Sequence, residues 1–246
     1  RLLNQLGDLR LQTLQDIEWI VVDDLLPQRK FSLEAEFPVR HVGPLHGVSE
    51  SFAPAHADNT ALLLAQGELV YWMNDYVRLT TGILKRHWDI YQEYGDAIIQ
   101  GPLYPMDGQM PFPPRRGDVP IGGGIEECVC GHACWQHSAG RNDSTPLAQL
   151  LAVNGLDERF DGDRGGSDVD LAMRLMMKGC RLLVDTQMAC FEYAHHSDSN
   201  PKYPWEKSLP GKGSWDRIQK GYVPKQAVAE YGWRIDDERA KTIAVH

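Results

Sequence analysis

Two short apolar runs constrain the fold of this chain more than any other feature. Trp19-Ile20-Val21-Val22 closes on Asp23-Asp24, and Leu69-Val70-Tyr71-Trp72-Met73 closes on Asn74-Asp75. Continuous apolar runs this short fit strands covered on both faces, as in a parallel sheet between helices. Helical spacing precedes the first run, at Leu2, Leu3, Leu6, Leu9 and Leu14, and Asn59 to Ala65 reads as a helix ending near Gly67, just before the second run. Strands alternating with helices predict an α/β domain. Both runs place polar, acidic residues at strand C-terminal ends, where open α/β sheets bind ligands.

The remaining elements extend this pattern. Pro38 to Val42 reads as another strand, and Leu79 to Tyr94 as a helix whose apolar face is Ile83, Leu84, Trp88 and Ile90. Gly101 to Pro120 is rich in Pro and Gly and reads as loop. Leu147 to Val153 predicts a short helix, and Arg181 to Val184 and Cys190 to Tyr193 predict strands. Beyond Ser197 periodicity is weak until Gln226, and no internal repeat is present. The chain opens inside a helix, so a first strand is expected ahead of it.

A length of 246 residues suits one α/β domain with an elaborated end, and 42% hydrophobic with 24% charged residues is ordinary for a soluble domain. No apolar run approaches the roughly 18 residues that span a bilayer. A net charge of −9 argues against a surface that coats nucleic acid uniformly, though it leaves room for a local basic groove. Five cysteines, an odd number with three bunched together, do not form a secreted disulfide framework, which points to a cytoplasmic protein.

The segment Asn154 to Leu175, NGLDERFDGDRGGSDVDLAMRL, carries the most chemistry. A flexible acidic stretch through Gly162, Gly165 and Gly166 opens directly into an amphipathic helix. Ser167 and Asp170 form a Ser-x-x-Asp capping pattern, and Asp170 with Arg174 makes an i,i+4 pair. Capping asks nothing of Asp168, which leaves that carboxylate as a candidate base, hydroxyl ligand or cation ligand.

In order and spacing, LQTLQDIEWIVVDD (Leu11 to Asp24), NTALLLAQGELVYWMND (Asn59 to Asp75) and the Asn154 to Leu175 segment resemble family 2 glycosyltransferases. The resemblance covers about residues 1–196. It implies a GT-A-type, Rossmann-like mixed sheet flanked by helices, with 197–246 as a C-terminal extension packed on the domain. It further implies a hexosyltransferase-like enzyme that uses a nucleotide-diphosphate sugar such as a UDP-sugar, a hydroxyl acceptor, and Mn²⁺ or Mg²⁺. Asp23 or Asp24 would meet the uracil or ribose, with Asn59 and Asn74 on the donor side. Asp75 would take the last acidic place of an Asp-x-Asp-like signature and hold the metal, joined by His196 (or its neighbour His195). Asn74 stands where Asp is commoner. Asp168 matches the general base of inverting members, and Ser167 replaces the usual Glu beside it. Arg164, Gly165, Gly166 and Ser167 would line the acceptor side. The chemistry suits these residue types: a cation neutralises the leaving diphosphate, and a separate carboxylate takes the acceptor's proton.

Two further features stand outside that pattern. Cys128, Cys130, His132, Cys134 and His137 fall within CVCGHACWQH, a thiolate and imidazole cluster that could hold structural Zn²⁺, with Cys190 as a remote fourth ligand, or be free thiols. From Lys202 to Lys225, six basic residues face two acidic ones, with Tyr203, Trp205, Trp215 and Tyr222 interleaved. This stretch is either a tail wrapped over the domain or an acceptor surface using Trp205 and Trp215, with Arg115 and Arg116 as helpers. It raises two alternatives: the same chemistry on hydroxymethylated bases of phage-type DNA, and a catalytically silent module that binds glycan or DNA.

Overall fold

The computed structural model describes residues 1–29, 31–45, 54–105, 124–127, 142–161 and 167–192. Helix α1 (Leu2–Arg10) turns Gln5, Leu6, Asp8 and Leu9 inward. It ends short of Leu14 because the Gln12 amide folds back to donate to the Asp8 carbonyl, closing the last turn. Strand β1 (Trp19–Val22) pairs in parallel with β2 (Val39–Val42), Trp19 opposite Val39 and Val22 opposite Val42. Helix α2 (Pro54–Leu64) leads into β3 (Leu69–Trp72).

A mixed sheet follows, in the order β3-β8-β5-β9-β7. Its other members are β5 (Ala97–Gln100), β7 (Ile125–Glu127), β8 (Asp143–Pro146) and β9 (Arg181–Asp185). β5 and β9 are parallel, and the remaining pairs are antiparallel. A smaller sheet sets β10 (Cys190–Glu192) between β4 (Val77–Arg78) and β6 (Leu103–Pro105). The other helices are α3 (Ile83–Tyr94), α4 (Leu147–Ala152) and α5 (Ser167–Met177). Among the described residues no helix is long and apolar enough to cross a membrane.

Two cores lie on opposite faces of one layer. Ile20, Val70 and Trp72 pack with Leu62, Leu150, Leu171 and Leu175, from α2, α4 and α5. Trp19, Val21, Tyr71 and Met73 pack with Leu6, Leu9, Ile83 and Ile90, from α1 and α3. Successive strand residues point to opposite faces, so this alternation puts β1 and β3 in the same layer. Their starts are tied together: Glu18 Oε1 accepts from the Gly67 amide at 2.8 Å and from that of Gln66. The architecture is the mixed sheet flanked by helices that the family resemblance implies.

Several local expectations are corrected. The helix expected from Leu79 begins at Ile83, because the Leu79 amide is given to Asp8 and Gly82 takes a left-handed φ of 84°. Leu103–Pro105, expected as loop, is a strand because β10 runs parallel beside it. Strands β5, β7 and β8 fall where none was expected. Ser167 is the first described residue of α5, and the residues that lead into the helix lie outside the described ones. The boundary expected at residue 196 also lies outside them.

Candidate functional site

Asp23 stands one residue beyond β1 and is 7% exposed, so its carboxylate requires partners. It has four. Arg29 donates through Nε to Oδ2 at 2.6 Å and through Nη2 to Oδ1 at 3.0 Å. The Leu25 amide donates to Oδ1 at 2.9 Å, and His41 Nε2 lies 3.1 Å from Oδ2. Burial pushes this carboxyl upward, but the bonds from Arg29, Leu25 and His41 outweigh it and hold the group below its ordinary value. Asp23 therefore clasps the loop containing the short 3-10 turn Leu26–Gln28 over the outlet of the strand. Asp24 is half-buried and opens that loop.

At the end of β3, Asn74 is held from two sides. Its carbonyl accepts from Gln5 of α1, and its side-chain amide donates to the Tyr76 hydroxyl at 2.6 Å. Asp75 is half-exposed and pairs with Arg1 at 3.3 Å. The bonds to Asp23 raise Arg29 above its ordinary value against the opposing effect of burial, and the charges of Asp23 and Asp75 add to the rise. Arg29 is thus within the field of both strand ends, and Asp23 and Asp75 share one edge.

Asp168 belongs to a second group, around Asp58. It is half-buried in the first turn of α5, where its Oδ1 accepts from the Val169 amide at 2.8 Å. Its charge, with those of Asp161 and Asp143, acts on Asp58 of α2. Burial first, then repulsion by these three carboxylates, pushes Asp58 to about 8. Asp143 opens β8 opposite Trp72 in β3 and Gln100 in β5, so it connects this group to the end of β3. Asp161 accepts from the Ala55 and His56 amides at the start of α2, both at 2.9 Å. Burial raises its carboxyl to about 6 despite those two bonds.

Asn59, expected on the donor side, is 2% exposed. Its amide donates to the Leu156 carbonyl and to Glu158, and its oxygen accepts from the Leu156 amide. It fastens α2 to the segment before α5. Asp170 is fully buried against Arg174 at 2.8 Å, as the i,i+4 spacing predicts. Arg174 also donates to the carbonyls of Val153 and Gly155, where Asn154 and Gly155 both take left-handed φ values, 65° and 66°. Ser167 is 8% exposed beneath this group.

Arg164, Gly165, Gly166, His195, His196, Trp205 and Trp215 lie outside the described residues, as do Cys128, Cys130, His132 and Cys134. Cys190 is fully buried beside the Tyr71 hydroxyl, and burial drives its thiol to about 11. Among the described residues no three His, Cys, Asp or Glu side chains form a metal cluster. A cavity of about 230 Å³ beside Thr80, Gly82, Arg86 and Met188 includes none of the expected site residues.

Sequence reasoning missed Arg29, His41, Asp58, Asp143 and Asp161. Arg29 follows the Asp23-Asp24 pair within one short loop, and Asp58 directly precedes the noted Asn59. Asp161 sat inside the acidic motif without being singled out.

The architecture has counterparts among solved structures. TarS from S. aureus has a TM-score of 0.58 at 17% identity, over 78% of this chain and 34% of TarS. Its 1–349 fragment in complex with UDP-GlcNAc scores 0.58 at 17% identity, over 79% of this chain and 56% of the fragment. The same fragment with UDP scores 0.59, over 78% and 56%. The chain spans about a third of TarS and just over half of the fragment, and the likeness is one of GT-A-type fold. No protein-family model matches the chain, and no curated protein matches it in sequence.

Proposed function

We propose that the chain is a glycosyltransferase that moves a sugar from a nucleotide-diphosphate donor to an acceptor hydroxyl, with inversion and with a divalent cation. The observation that supports this reading is that Asp23 and Asp75, from distant stretches, close β1 and β3 and both act on Arg29. The resemblance of this fold to a protein solved with UDP-GlcNAc and UDP gives the donor its class.

In this reading Asp168 takes the proton from the acceptor hydroxyl. The charge of Asp168, with those of Asp161 and Asp143, adds to the burial that raises the Asp58 carboxyl beside it. Asp23 works indirectly, by fixing the loop at the donor end. One described carboxylate, Asp75, suits Mn²⁺ or Mg²⁺, hard cations that take most of their ligands from phosphate oxygens and water. Such an ion supplies charge neutralisation at the leaving diphosphate. His196 is its expected second ligand from this chain.

The test is calorimetric titration of UDP, GDP and ADP, with Mn²⁺ and with EDTA, followed by release of nucleoside diphosphate from the matching sugar donor. Asp168→Asn should leave donor affinity within twofold and reduce transfer by about 10²–10⁴. Turnover equal to wild type would remove Asp168 as the base. A wild-type protein that binds donor but releases no diphosphate is a silent binding module, the alternative that Asn74 and Ser167 raise.

A further inference from the structure

We propose that Arg29 is a donor-binding residue, its guanidinium anchored by Asp23 and turned toward the diphosphate of the nucleotide sugar. The inference rests on the transferase reading above and adds a contact to it that the sequence did not suggest.

Asp23 alone is poorly placed to bind a nucleotide. Both of its oxygens already take two partners, from Arg29, Leu25 and His41. A carboxylate has about four acceptor positions in all, so a ribose hydroxyl or base N–H would have to displace an existing bond. The group that Asp23 holds is better placed. Arg29 has five N–H donors in a fixed planar fork, and the described residues take the one on Nε and one on Nη2. The remaining donors belong to a side chain that is 33% exposed.

Position then narrows the ligand. Glu18 ties the starts of β1 and β3 together, and Arg29 stands at their ends, paired with Asp23 and in the field of Asp75. Asp24 directly follows Asp23, and Asp143 lies opposite Trp72 at the end of β3, where its charge acts on Asp58 together with those of Asp161 and Asp168. A nucleoside diphosphate entering there meets mostly like charge, and a cation already desolvated on one side is the group that attracts it. Arg matches phosphate oxygens with two parallel N–H bonds, and prior anchoring lowers the entropy lost on binding.

The reading separates from a purely structural clasp by which part of the nucleotide feels the change. The nucleoside diphosphate bound by wild type (UDP first, then GDP and ADP) is titrated alongside its parent nucleoside, with Mn²⁺ and with EDTA. Arg29→Ala should weaken the diphosphate at least tenfold and leave the nucleoside within twofold. Arg29→Lys, which keeps the charge but loses the fork, should recover part of the loss. If Arg29→Ala does not fold, Arg29→Gln retains one donor for Asp23 without the charge, and the same selective loss is expected. Unchanged diphosphate affinity, or equal weakening of diphosphate and nucleoside, overturns the assignment while leaving the transferase reading intact. A wild-type protein that binds none of the three diphosphates removes both.

Discussion

Replacing Asp58 by Asn should stabilise the protein, and more so as the pH rises. Asp58 is held at about 8 against an ordinary 3.8, first by burial and then by the carboxylates of Asp161, Asp168 and Asp143. The unfolded chain gives up this proton near pH 4, whereas the folded chain keeps it to about pH 8. Between those values the folded state binds more protons, so the contribution of Asp58 to stability falls as the pH rises and levels off above pH 8. At about 1.4 kcal/mol per unit, the full shift sets a ceiling of about 6 kcal/mol. Solvent still reaches part of the half-buried side chain, and screening reduces the effect to roughly 2–3 kcal/mol. Asn matches the protonated carboxyl in shape, and no described residue hydrogen-bonds the Asp58 side chain. Urea denaturation of wild type and Asp58→Asn at pH 4, 6.5 and 8.5 should give a difference near zero at the lowest pH and the full gain at the highest. A constant difference, or a variant weaker than wild type at pH 8.5, refutes the assigned repulsion.

Two stability predictions follow from packing. A Cβ at Gly101 would sit 2.1 Å from the Met188 carbonyl oxygen and 2.6 Å from Asn142 Nδ2, both held by mutual hydrogen bonding, so Gly101→Ala should cost about 3 kcal/mol. A melting temperature within roughly 2 °C of wild type would contradict this. Arg174→Met strands the buried Asp170 carboxylate and the Val153 and Gly155 carbonyls, at a cost of about 3–5 kcal/mol. In a denaturation double-mutant cycle, adding Asp170→Asn should recover at least half of that loss, and simple additivity would argue against the pair.

How far the sequence disclosed the fold depended on which force held each element. Strands β1 and β3 were legible because apolar burial on both faces leaves an uninterrupted run. Strand β8 was not, since Asp143-Ser144-Thr145-Pro146 is entirely buried yet polar. Its place is secured by hydrogen bonds instead, such as Ser144 Oγ to His87 Nδ1 at 2.8 Å, and no hydropathy pattern records these. The proposed site divided the same way. Asp168 and Asp75 were visible from their positions at a helix start and a strand end. The partners of Asp23 and the carboxylates around Asp58 are brought together only by the folded chain, from up to about a hundred positions away. Asn59 shows the converse: a motif position read for ligand binding whose amide is used up joining two segments.

The Arg174 clamp on the Val153 and Gly155 carbonyls fixes where α5 pivots. Asp168 lies six positions up the same helix, about 9 Å along its axis at 1.5 Å per residue. A tilt of about 10° around that anchor would swing the carboxylate sideways by roughly 1.5 Å, enough to spoil the proposed proton transfer from a bound hydroxyl to Asp168. If Asp168 is the base of the proposed transferase, its aim is thus set from below, and substitutions at the pivot should slow transfer without touching any ligand.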